Sequence, residues 1–127
     1  MLALRNPNEA YRRVDFDARI EGASPTQLVA LCFEQAESAL ASAMFAHESG
    51  NNQAKSKAMT KALAAITALQ LGVSGEEGVA AALRQVYGAA RRALLDCALN
   101  FDMATVAAVR RDLHEIAGAL VGSKSDS

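Results

Sequence analysis

Apolar residues recur at three- and four-residue steps along four stretches of the chain, the spacing that lines one face of a helix. The first stretch begins where Ser24 can act as an N-cap, Pro25 falls at the first helical position, and Gln27 can reach back to complete a capping box. From there Val29, Phe33, Ala36, Leu40, Ala43 and His47 form a stripe, while Glu34, Glu37, Ser38 and Ser42 lie off it. Running toward Gly50, this helix would be about 35 Å long. A helix so long and so apolar needs partners of similar length.

The rest of the chain supplies them. Ser49-Gly50-Asn51-Asn52 reads as a turn, with Gly50 suited to the helix C′ position and Asn51 or Asn52 to capping the next helix. The second helix spans Gln53 to Gln70, with Met59, Ala62, Leu63, Ile66 and Leu69 in one stripe and Lys57 and Lys61 elsewhere. Ala54, Ala58, Ala62 and Ala65 make a low ridge that permits close approach. The loop from Gly72 to Gly78 matches neither phosphate-binding glycine pattern and carries two glutamates, so it reads as a helix stop and restart. The third helix, Glu77 to Leu99, places Val79, Leu83, Val86, Ala90, Leu94, Cys97 and Phe101 on one face, with Tyr87 beside it. After Asn100-Phe101-Asp102, a fourth helix carries Val106, Val109, Leu113, Ile116 and Leu120. Short turns imply antiparallel neighbours, so the expected fold is all-α, an antiparallel up-down-up-down four-helix bundle over residues 23–121. An N-terminal arm, residues 1–22, precedes it, with Tyr11, Val14 and Ala18 on one face; residues 122–127 form a polar tail expected to be disordered.

Composition narrows the function. Of the 127 residues 51% are hydrophobic and only 5% aromatic, which suits alanine-lined helices packed closely. A formal net charge of −1 argues against nucleic acid as a partner. The start of the chain lacks the pattern of a secretory signal and no run approaches membrane-spanning length, so a cytoplasmic protein without membrane insertion is expected. Cys32 and Cys97 then read as two small buried thiols. The two histidines, His47 and His114, belong to no metal-binding pair, and no convergent catalytic set is present; we expect no enzyme, no metal and no cofactor. A histidine phosphotransfer module built on His114 beside Arg110 and Arg111 is one alternative. Apolar residues are instead spread around several helices, as at Ala62 to Ile66, Ala80 to Leu83 and Ala104 to Val109, which points to shallow grooves for an amphipathic partner. A generic helical adaptor or homodimer would use the same faces.

The order of motifs is more specific. Ala10-Tyr11, the linker Ala23-Ser24-Pro25, the helix Gln27-Leu-Val-Ala-Leu-Cys-Phe33, the Gly50-Asn51 turn, the Ala62–Leu69 helix and Val86-Tyr87 followed by Leu94 and Asp102 together resemble the flagellin-specific secretion chaperone family, FliS. The family commonly has Tyr-Asp-Gly where this chain has Phe33-Glu34-Gln35, and a tryptophan near the end of the fourth helix that is absent here. The resemblance implies a cytoplasmic export chaperone that binds the disordered C-terminal segment of flagellin, prevents premature polymerisation and keeps it competent for flagellar type III export. It further implies an N-terminal arm covering the groove when flagellin is absent. On that reading Ile66, Leu69, Val86, Tyr87 and Leu94 contact the partner, and Tyr11 and Ile20 form the displaceable cover. Export-gate or regulatory proteins are further partners the resemblance leaves open.

Overall fold

The structure, a computed structural model, describes residues 22–75 and 77–122. Its first helix, α1, is Pro25–Glu48. The anticipated capping box starts it: the Gln27 N–H donates to Ser24 Oγ at 3.2 Å, and the Ser24 N–H donates to Gln27 Oε1 at 2.9 Å. At the other end Gly50 takes φ +74°, a left-handed conformation that favours glycine, and the chain reverses at once. Asn51 caps α2, Asn52–Leu71, by accepting from the Ala54 N–H at 3.0 Å. Helix α3 is Val79–Leu99 and α4 is Met103–Ala117, with a π-helical turn over Gly118–Gly122.

The helices form a ring in chain order. Helix α1 lies closest to α2 and also packs on α4, while α3 packs on α2 and touches α4 least. The antiparallel bundle read from the short turns is therefore the fold. Its core contains Phe33, Leu40, Ile66, Tyr87, Leu94, Val106 and Leu113 as the largest enclosed side chains. Around them sit buried alanines: Ala36, Ala39 and Ala43 on α1, and Ala58, Ala62 and Ala65 on α2. No buried side chain among the described residues is polar or charged, so apolar packing holds the interior together. By length and composition α1, which contains an 18-residue window with a mean hydropathy of 1.2, would pass for a membrane span, contrary to the expectation from sequence. Here its stripe is the central wall of the bundle.

Three boundaries differ from expectation. Helix α3 starts at Val79 and not at Glu77, because Gly78 adopts φ +62° and breaks the helical run ahead of it. Helix α4 gives way to the wider π-helical turn at Gly118, a residue of low helix propensity, although Leu120 still packs against the core. His47 ends the α1 stripe outside the core, on the surface.

The phase of α3 is also different. Val79 and Val86, expected in the stripe, are exposed, whereas Tyr87, expected beside it, is 2% exposed. Leu83, Tyr87, Ala90, Leu94 and Cys97 step by four, three, four and three, as regular as the line through Val86. Size decides between them. Tyr87 buries far more apolar area than a valine, and its ring packs tilted at 59° against Phe33 with centroids 6.1 Å apart. Cys32, half-buried on α1, belongs to the same neighbourhood. Burial pushes the Cys32 thiol up. Burial, followed by the Cys32 charge, pushes the Tyr87 phenol up.

Two expectations follow from this core. Truncating Tyr87→Ala should cost about 3–5 kcal/mol, and Val86→Ala less than about 1 kcal/mol, in urea unfolding monitored by circular dichroism; equal costs would return Val86 to the core stripe. The folded chain also holds the Cys32 and Tyr87 protons to higher pH than the unfolded chain. Stability from these groups is therefore complete at neutral pH and declines as pH rises through about 8.5 to 10 and beyond. The variant Cys32→Ala with Tyr87→Phe should lose less stability over that alkaline range than the parent.

Candidate functional site

The chain's unusual property is apolar surface on α3. Arg84 and Gly88 mark the side of this helix that looks toward α2: Arg84 Nη2 donates to the Val73 carbonyl at 3.3 Å, and a β-carbon built on Gly88 would meet Gln70 Nε2 at 3.5 Å. Val79 and Val86, seven residues apart on one line, lie on the opposite flank and so border the seam with α4. They are 70% and 40% exposed. This seam is where the ring of helices closes least tightly. Ala82 and Ala89, both exposed, continue the same flank with small side chains. The result is an apolar strip along one edge of α3, free of charged side chains along the line from Val79 to Val86.

Of the residues expected to bind a partner, only Val86 reaches this surface. Ile66, Leu69, Tyr87 and Leu94 lie in the core, each at 4% exposure or less. Ile66 and Leu69 on α2 and Tyr87 and Leu94 on α3 belong to one core cluster, which fixes the position of α3. Tyr11 and Ile20, the expected cover, lie outside the described residues. The apolar side chains that reading by stripes passes over are Phe45, Leu71, Leu95 and Leu99, all exposed. Their signal was present as apolar residues off the stripe: Phe45 follows Met44, and Leu95 follows Leu94.

A second surface feature lies between α1 and α2. Ala41, Phe45, Ala46 and Ala54, with Ser42 and Ser49, line a shallow depression of about 390 Å³. Alanines on both helices make its floor shallow. Nearby, the ends of the bundle are tied by a stack: His47 lies on Phe101 with centroids 4.4 Å apart, and Lys55 Nζ sits 4.9 Å from the same ring and 3.1 Å from His47 Nδ1. His114, the other histidine, is held by Glu37, with Nδ1 and Oε1 2.9 Å apart, while the Arg110 Nε–H donates to the Glu37 carbonyl at 3.2 Å. These contacts strap α4 to α1. Among the described residues no group of three or more His, Cys, Asp or Glu side chains is arranged to hold a metal ion.

Among the described residues the arrangement is therefore a helical bundle with an exposed apolar edge on α3, a surface of the kind that takes the apolar face of a partner segment. Comparison with known proteins agrees with that architecture. The family model described as flagellar protein FliS matches residues 7–122. The flagellar secretion chaperone FliS of Salmonella typhimurium is 34% identical over 114 residues, spanning 87% of this chain and 84% of that protein. A match that runs from the segment before α1 to the last turn after α4, together with a relative of this identity, shows that the chain belongs to the FliS family of flagellar proteins.

Proposed function

We propose that this chain is a cytoplasmic export chaperone that binds the disordered C-terminal segment of flagellin, keeping it from polymerising early and competent for flagellar type III secretion. The observation that carries the reading is the exposed apolar line of Val79 and Val86 beside the least closed seam of the bundle, in a chain of the FliS family. The relative's name, flagellar secretion chaperone, supports the same role. A segment that must bury apolar stripes in a filament is aggregation-prone while uncovered, and a helical body with its own uncovered strip can bury those stripes reversibly. No bond is made or broken in this role, and it requires no metal or cofactor.

In this reading Val86 is the contact on α3, and the buried Ile66, Leu69, Tyr87 and Leu94 hold that helix in place through the core. The segment before α1, including Tyr11 and Ile20, is the cover that flagellin displaces. Partner binding then exchanges one apolar cover for another, so affinity reports the difference between two similar contacts and not the full burial of either.

The full chain should form a one-to-one complex with a flagellin C-terminal peptide in size-exclusion chromatography with light scattering; a homodimer indifferent to the peptide would favour a self-pairing adaptor instead. Val86→Asp should weaken that complex about ten-fold or more while leaving helix content unchanged, because the side chain is already in contact with solvent. Removing residues 1–20 should strengthen peptide binding by calorimetry, and an unchanged or weaker affinity would remove the cover from the mechanism.

A further inference from the structure

The other flank of α3 has a different chemistry. Leu95 lies seven residues after Gly88 on the α2-facing outer side of the helix, and Leu99 follows one turn later. Leu95 is 43% and Leu99 96% exposed. Arg91 and Arg92 stand four and three residues before Leu95, which puts one guanidinium on each side of the leucine line. Arg91 and Arg92 thus stand one turn ahead of Leu95, and Leu99 lies a further turn on, three residues after Asp96, so the exposed leucine row is basic at its N-terminal end.

Among the described residues, the other arginines each have a partner. On α4, Arg111 pairs with Asp112 at 3.5 Å and with Glu115 at 4.0 Å, and Arg110 is engaged by the Glu37 carbonyl. On α3, Arg84 is engaged by the Val73 carbonyl. Arg91 and Arg92 are exposed and make no ion pair among the described residues. Helices α2 and α3 together carry three lysines and three arginines against one acid, Asp96, whereas α1 carries Glu34, Glu37 and Glu48 with no lysine or arginine. Basic residues thus outnumber acidic ones on α2 and α3 in a chain whose net charge is −1.

We propose that this face of α3, the exposed row of Leu95 and Leu99 with Arg91 and Arg92 on either side of its N-terminal end, is a second docking site that takes an amphipathic helix of another protein whose apolar row is bordered by aspartate or glutamate. The leucines supply apolar burial and the arginines select the charge of the border, each pairing with carboxylates that a bound helix presents on either side of its apolar row. Nucleic acid does not fit, because two arginines spanning one helical turn cannot track a phosphate backbone and the chain as a whole is negative. The site lies on the flank of α3 away from Val79 and Val86, so it can be filled while the α4-side seam is also occupied. An acidic partner helix would then recognise the loaded and the empty protein alike.

The test uses the full chain and a synthetic helical probe of about five turns, with leucine at three- and four-residue steps and glutamate on both borders. Its counterpart carries lysine in place of every glutamate. Fluorescence anisotropy should show the glutamate probe binding about ten-fold or more tighter than the lysine probe, with the difference shrinking as salt rises from about 50 to 500 mM. Leu95→Ser with Leu99→Ser should remove binding of both probes, and Arg91→Glu with Arg92→Glu should reverse the preference, while circular dichroism shows unchanged helix content for each. The reversal is a readout that mere loss of folding cannot produce. Equal binding of the two probes, no binding of the glutamate probe, or binding insensitive to the four substitutions would overturn the proposal. So would a Leu95- and Leu99-dependent dimer of the chain that excludes the probe, or capture by phosphatidylglycerol vesicles through the same residues with the probe left free.

Discussion

The closeness of α1 and α2 is the constraint on which the rest of this protein depends. Ala39 and Ala43 on one helix and Ala58, Ala62 and Ala65 on the other are buried residues with almost no side-chain bulk, and these two helices make the most extensive contact of any pair. Each alanine contributes little apolar area, but close approach multiplies the dispersion contacts between backbones and leaves no room for rotamer disorder. With α1 and α2 joined this tightly, bulky side chains have to do their work elsewhere. Phe33, Leu40, Ile66, Tyr87 and Leu94 supply the bulk of the core shared with α3 and α4, and those two helices make less contact with each other and with the first pair.

That asymmetry explains where free surface arises. A ring of four helices with one tight pair cannot close equally on all sides, and the slack falls between α3 and α4. Helix α3 is the element exposed by it. The helix buries Tyr87, Leu94 and Cys97 on its inner face, yet still presents Val79 and Val86 on one flank and Leu95 and Leu99 on the other. A helix apolar on three sides is costly in a protein that stands alone, because each uncovered side chain invites association. In the proposed role, a chaperone for a segment that is itself apolar, the same exposure would be the means of binding.

Polar contacts decorate this arrangement and do not create it. The strap from Glu37 to His114 and Arg110, and the stack of His47 on Phe101 under Lys55, both join elements that apolar packing has already brought together. Both lie at the surface, where a single ion pair or stacked ring is worth on the order of 1 kcal/mol or less. Their value is in fixing the register of α4 and of the α3–α4 connection against the tighter pair.

Local chemistry in the sequence determined the helices and their order. Ser24, Pro25 and Gln27 specify the start of α1, Gly50 and Asn51 specify its reversal into α2, and these depend only on neighbouring residues and backbone geometry. The family, too, was legible, since it rests on the order of such motifs along the chain. The surface was not legible from stripes alone. Lines through Val86 and through Tyr87 are equally periodic, and periodicity cannot rank them; the neighbouring Phe33 ring and the larger area of tyrosine chose the second and turned Val86 outward. Ile66, Leu69 and Leu94 look the same in sequence whether they face a core or a partner. Only the tertiary structure, by setting how closely each pair of helices can approach, decided which apolar residues are enclosed and which remain exposed.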